Sequence, residues 1–94
     1  MTQTIGIIGL GYVGLQLAVA FGKQYKTIGF DKSLNKVNQL KRFVDDTNEL
    51  TLSDLKRAKL LNYTSDFNNL KKCNYIIVAV PTPINRKKVP DLEL

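Results

Sequence analysis

The sequence has no histidine, no tryptophan, one cysteine, one methionine and three prolines among its 94 residues. A single thiol, Cys73, excludes an internal disulfide. With no imidazole and one thiol, a transition-metal site within the chain is not expected, and Ser-His and Cys-His nucleophile pairs are excluded. No apolar run approaches the roughly 18 residues of a membrane span. The first residues lack the basic flank and unbroken apolar stretch of a signal peptide. Internal repeats and low-complexity segments are absent as well. The expectation is a soluble, cytoplasmic protein with no membrane partner.

What is present is ordinary globular composition, 44% hydrophobic and 23% charged, in a length that makes one domain spanning residues 1–94. The net charge of +6 is scattered, with small clusters at Lys71-Lys72 and Arg86-Lys87-Lys88. A solvated basic surface accounts for most of it, and attraction of a phosphate-bearing ligand is the functional alternative. No stripe of interleaved aromatic and basic residues accompanies the charge, so nucleic acid is not an expected partner.

Hydrophobic patterning alternates strand and helix. Residues 4–10 (TIGIIGL) form a continuous apolar run, as in a strand buried on both faces. Val13, Leu17, Ala18 and Phe21 then recur at helical spacing, with Gly22 near the helix end. Residues 27–30 form a second strand stopping at Asp31, and Ser33 is placed to cap a helix carrying Leu34, Val37, Leu40 and Val44. Residues 45–50 read as a polar connection. Thr51 and Asp54 resemble a capping box opening a short helix in LSDLKRAKL. Residues 61–64 are a third strand, Asp66 caps a helical turn through Leu70, and residues 75–80 (YIIVAV) are a fourth strand ended by PTP. This order predicts an α/β fold: a Rossmann-like parallel sheet, strand order 3-2-1-4, with flanking helices. The expectation is the first half of a dinucleotide-binding domain, truncated after its fourth strand; if the molecule is this short, residues 75–80 form an apolar sheet edge that invites pairing into a homodimer.

The turn GLGYVG carries the candidate site. Gly9 lets the chain leave the first strand, Gly11 admits a pyrophosphate to its backbone, and Gly14 lets helix and strand pack closely. The N–H groups near Tyr12, Val13 and Gly14 face the phosphates. Asp31, 20 residues after Gly11, has the spacing of an acid that binds the adenosine ribose and repels a 2′-phosphate, which favours NAD over NADP. The alternatives are a ligand-free strand-to-helix turn and a capping carboxylate. Thr82, between two prolines at the end of the fourth strand, is placed to bond the cofactor or belongs to an ordinary turn. Lys36 either reaches the adenosine side or is solvated. Cys73 reads as a small buried hydrophobe.

Taken together, IGIIGLGYVGLQLAVAFG, TIGFDKSLNKVNQL and YIIVAVPTPI…PDL resemble the amino-terminal NAD-binding domain of the UDP-glucose/GDP-mannose dehydrogenase family across essentially all 94 residues. DDTNELTLSDLKRA further resembles the branch that oxidises UDP-N-acetylhexosamines for surface polysaccharides, the Vi-antigen type included. Gln16, where the family often has proline, is a departure expected to affect stability more than binding. The resemblance implies oxidation of a sugar C6 alcohol to a carboxylate with two NAD+ reduced in succession. It implies cofactor contacts from Gly9, Gly11, Tyr12, Val13, Gly14, Asp31, Lys36, Val80, Pro81 and Thr82. The family's catalytic cysteine and lysine lie in later segments, so this chain is expected to hold no catalytic or metal-ligating residue and to be inactive alone. A UDP-sugar is a partner of the full-length protein only. UDP-glucose or GDP-mannose remain alternative substrates, and a stand-alone NAD-binding or self-associating module is the alternative without catalysis.

Overall fold

The computed structural model describes residues 3–45 and 50–79. In chain order these form β1 (Thr4–Ile8), α1 (Tyr12–Gly22), β2 (Lys26–Phe30), α2 (Leu34–Lys41), α3 (Leu52–Arg57), β3 (Leu61–Thr64), a 3-10 helix (Phe67–Lys72) and β4 (Tyr75–Val78). The strands make one parallel sheet in the order β3-β2-β1-β4, as the alternation predicts. Ile7 pairs with Gly29 on one side and Ile77 on the other, and Gly29 pairs in turn with Tyr63.

Strand β1 is shorter than its apolar run. Gly9 adopts a φ of 96° and turns the chain out of the sheet, so Leu10 enters the core as a fully buried loop residue. The residues expected on the buried stripe of α1 are also corrected. Val13 is 57% exposed, Leu17 and Phe21 are half-buried, and Leu15, Ala18 and Val19 form the buried face. YVGLQLAVAFG is apolar on nearly every side, so its periodicity does not choose a face; its glycines do. A Cβ on Gly14 would overlap the carbonyl oxygen of Gly9, and one on Gly22 would lie 2.6 Å from Leu61 Cβ. Both positions must therefore turn inward, and Leu15, Ala18 and Val19 turn with them.

Helix α2 starts as expected, with the Ser33 hydroxyl accepting from the Lys36 N–H at 3.2 Å. It buries Val37 and Leu40 but leaves Leu34 58% exposed. Val44, expected on the same stripe, lies beyond the helix and is exposed. Phe43 takes a left-handed φ of 61°, the Phe43 N–H bonds Leu40 O and the Val44 N–H bonds Gln39 O. That pair of bonds is a Schellman stop, with phenylalanine where glycine is usual. The capping box of α3 is present in both directions, Asp54 N–H to Thr51 Oγ1 at 3.1 Å and Thr51 N–H to Asp54 Oδ2 at 3.2 Å. The helix closes at Arg57, earlier than LSDLKRAKL implies, because Ala58 leaves helical geometry at ψ 67°.

One core unites these elements: Ile7, Leu10, Leu15, Ala18, Val19, Leu40, Leu55, Ala58 and Leu61. Each large aliphatic side chain buried there contributes roughly 1.5–3 kcal/mol. The opposite face of the sheet carries the 3-10 helix, capped by the Asp66 carboxylate on the Asn68 N–H. Gly6 lets that helix approach, since a Cβ there would lie 2.8 Å from Cys73 Sγ and 3.0 Å from Leu70 Cδ2. Cys73 is half-buried, and desolvation pushes its thiol pKa up. Strand β4 is a sheet edge among the described residues, with Tyr75, Ile76 and Val78 exposed. Ala79 extends the ladder through its N–H to Ile8 O at 2.8 Å. Val80, expected to end this strand, lies outside the described residues.

Candidate functional site

The carboxyl ends of β1 and β2 bring Gly9, Gly11, Tyr12, Val13, Gly14 and Asp31 to one end of the sheet. The Gly9 N–H donates to Phe30 O at 2.8 Å, which ties the turn to the end of β2. Leu10 then donates its N–H to Asp31 Oδ2 at 3.0 Å, and Ser33 donates its N–H to Asp31 Oδ1 at 2.9 Å. The carboxylate is therefore held between the glycine turn and the start of α2, partly open to solvent. Each oxygen keeps a further lone pair, so the group can still accept from two neighbouring hydroxyls of a ligand.

The three glycines of the turn have different reasons. Gly9 is required by its positive φ, and Gly14 by the Gly9 carbonyl and by Ala79 Cβ, 3.2 Å from where its own Cβ would stand. Gly11 has a φ of −76°, and among the described residues a Cβ there would meet nothing within 4 Å. The described part of the fold does not demand glycine at this position. The open space beside it lies at the start of α1, which no side chain caps and whose first turn carries no acid. The Leu15 N–H makes the bond to Gly11 O, so the Tyr12, Val13 and Gly14 N–H groups precede that bond along the helix. Donors, a positive helix end and room at Gly11 suit a phosphate group. The nearby carboxylate suits a ribose, so the residues present fit a dinucleotide.

Tyr12 and Val13 stand exposed on the first turn of α1. Lys36 follows Ser33 by one helical turn and is half-buried. The other expected site residues, Val80, Pro81 and Thr82, lie outside the described residues. Cys73 is excluded from the site by position: its neighbour Asn74 donates its N–H to Thr4 O, at the amino end of the sheet. A hollow of about 490 Å³ lined by Gln24, Tyr25, Lys26, Lys59 and Leu60 also lies at the amino ends. The glycine turn is at the other end, where parallel sheets bind ligands, and its chemistry outweighs the size of that hollow.

Two features were not read from the sequence. One is the Leu10–Asp31 bond, which spans 21 positions and has no local signature. The other is Tyr63, whose hydroxyl is buried without a hydrogen-bond partner among the described residues. Desolvation, with a smaller push from Asp45, raises its pKa to about 12. Asp45 is itself buried and accepts the Leu50 N–H at 2.9 Å. Among the described residues no group of three His, Cys, Asp or Glu is placed to hold a metal ion, and no helix is long and apolar enough to cross a membrane.

Residues 3–94 match the NAD-binding domain model of the UDP-glucose/GDP-mannose dehydrogenase family. The chain belongs to that family. It is similar to the UDP-N-acetyl-D-glucosamine 6-dehydrogenase of Salmonella typhi, 50% identical over 94% of this chain and 21% of that protein. It is also similar to Protein CapL of Staphylococcus aureus, 48% identical over 98% of this chain and 22% of that protein. The solved UDP-glucose dehydrogenase of Pyrobaculum islandicum superposes with a TM-score of 0.85 at 26% identity, over 98% of this chain and 23% of that one. The chain thus spans about a fifth of the length of these family members, and its match is to the family's NAD-binding domain. NAD is the cofactor of that domain.

Proposed function

We propose that Gly9, Gly11, Tyr12, Val13, Gly14, Asp31, Lys36, Val80, Pro81 and Thr82 hold NAD, and that the chain is the cofactor-binding part of an NAD-dependent nucleotide-sugar 6-dehydrogenase. The observation that carries the reading is Gly11: among the described residues, a glycine without a conformational or packing reason, beside helix donors that no described side chain caps and a fixed carboxylate. Its backbone and the N–H groups after it receive the pyrophosphate. Asp31 accepts the ribose hydroxyls and repels a 2′-phosphate, which selects NAD over NADP. NAD supplies a hydride acceptor when bound. This chain's part is to bind and orient it.

The substrate of the whole enzyme is a UDP-N-acetylhexosamine, oxidised at C6 for surface or capsular polysaccharide. The similarity to the Salmonella typhi UDP-N-acetyl-D-glucosamine 6-dehydrogenase supports that choice over UDP-glucose or GDP-mannose. The nucleophile and the sugar site belong to parts of the enzyme beyond these 94 residues, and the setting is the cytoplasm. Cys73 lies at the wrong end of the sheet, and burial disfavours its thiolate. Calorimetric titration with NAD+ and NADP+ tests the cofactor reading, with tighter binding of NAD+ expected. Equal affinity for the two, or none for either, sinks it. NADH production from UDP-N-acetylglucosamine by the chain alone would overturn the assignment of catalysis to absent segments.

A further inference from the structure

We propose that Phe67 is the platform on which the adenine ring of the dinucleotide stacks, an inference that rests on the NAD reading above. Phe67 is 60% exposed and opens the 3-10 helix just beyond the carboxyl end of β3. It packs against Phe30 with ring centroids 5.4 Å apart and planes at 88°. In an edge-to-face pair at least one face of each ring is left without its partner, and the exposure of Phe67 shows that its own is open to solvent. Phe30 directly precedes Asp31, and the Asp31 N–H bonds Thr64 O at 3.1 Å. The aromatic pair and the ribose-binding carboxylate therefore share one junction, where β2 and β3 end.

That junction is rigid. Thr64 Oγ1 accepts from the Asp66 N–H at 3.0 Å and from Asn69 Nδ2 at 2.7 Å. The Asp66 carboxylate accepts the Asn68 N–H, and Asp66 O accepts the Asn69 N–H. An exposed aromatic side chain is unremarkable by itself. This one is supported from below, held by a bonded turn, and placed beside the carboxylate that takes the sugar of the same nucleoside. The other exposed aromatic rings lie elsewhere: Tyr25 and Tyr75 at the amino end of the sheet, Phe43 under Lys56 Nζ, and Tyr12 on the phosphate side. Among the described residues, a purine joined to a ribose at Asp31 meets an open π-face on the β3 side only at Phe67.

The experiment uses the chain as it is, with Phe67→Ala, Phe67→Tyr and Asp31→Ala variants titrated calorimetrically with NAD+. Phe67→Ala is expected to weaken binding about tenfold, in line with base–aromatic stacking, and Phe67→Tyr to restore it. In the unsubstituted chain, AMP is expected to shift the Phe67 ring protons upfield in NMR spectra, a readout independent of any variant's folding. Binding of NAD+ by Phe67→Ala at parental affinity, while Asp31→Ala is weakened, overturns the platform and leaves the NAD reading standing. Ring protons unmoved by saturating AMP also overturn it. No NAD+ binding by the parent chain overturns both.

Discussion

The backbone N–H of Leu10 lies 3.0 Å from Asp31 Oδ2, so the acid that ends β2 holds the loop that ends β1. Asp31 thus has a structural role beside its proposed ligand role, and the two can be separated. Asp31→Ala leaves the Leu10 and Ser33 N–H groups without this partner and is expected to lower stability by about 1–3 kcal/mol in urea unfolding. Asp31→Asn keeps an acceptor oxygen and loses the charge. It is expected to lose less stability while admitting NADP+ more readily, measured as the ratio of the two dissociation constants. A ratio unchanged from the parent would remove the carboxylate from cofactor choice.

The glycines of the turn predict opposite outcomes. Gly14→Ala places a methyl group into the Gly9 carbonyl, and the helix and strand must separate. A loss of about 3 kcal/mol or more, or failure to fold, is expected. Gly11→Ala meets open space, so its stability change stays within about 1 kcal/mol. Its NAD+ affinity is nevertheless expected to fall at least tenfold. Full affinity in Gly11→Ala would show that nothing approaches that backbone.

Tyr63 buries a hydroxyl that has no partner among the described residues. Tyr63→Phe removes that group without changing the packing and is expected to be neutral or stabilising by up to about 1 kcal/mol. The pH dependence follows from the raised pKa. Below pH 10, the ordinary value, both folded and unfolded states hold the proton, and the neutral phenol's contribution is complete; it is lost as pH rises through about 12. Stability is therefore expected to fall across that window in the parent and more shallowly in Tyr63→Phe. Parallel alkaline unfolding curves would contradict this.

Among the described residues, strand β4 is the sheet edge and presents Tyr75, Ile76 and Val78, without lysine or proline in the strand. Self-association through this edge into a homodimer is the expected behaviour of the isolated chain. Ile76→Lys places a charge on it and is expected to return a dimer to monomer in light scattering. A dimer that survives the substitution would place the contact elsewhere.

Local chemistry carried most of the fold into the sequence. Ser33, Thr51 and Asp66 cap the helices they precede, and the strand order follows from parallel strands joined by crossovers. The face of α1 was not legible, because an almost wholly apolar helix has no polar side to read, and its orientation is set by backbone approach at Gly14 and Gly22. Val44 misled because the stop at Phe43 uses a residue that disfavours left-handed geometry. At the candidate site, spacing singled out the glycines and Asp31, and the structure brings them to one end of the sheet. The Leu10 bond and the Phe30–Phe67 pair were not legible in the sequence, since each joins segments far apart in the chain.

The bonds from Leu10 and Ser33 have a consequence for how tightly a ribose can be held. A solvated aspartate samples several rotamers, and capturing a sugar then means freezing them. Asp31 gives up that freedom when the chain folds, because both oxygens are already fixed by main-chain donors. Its conformational entropy is lost with the folding transition and would not be charged against a ligand, so the carboxylate would meet the proposed ribose preorganised.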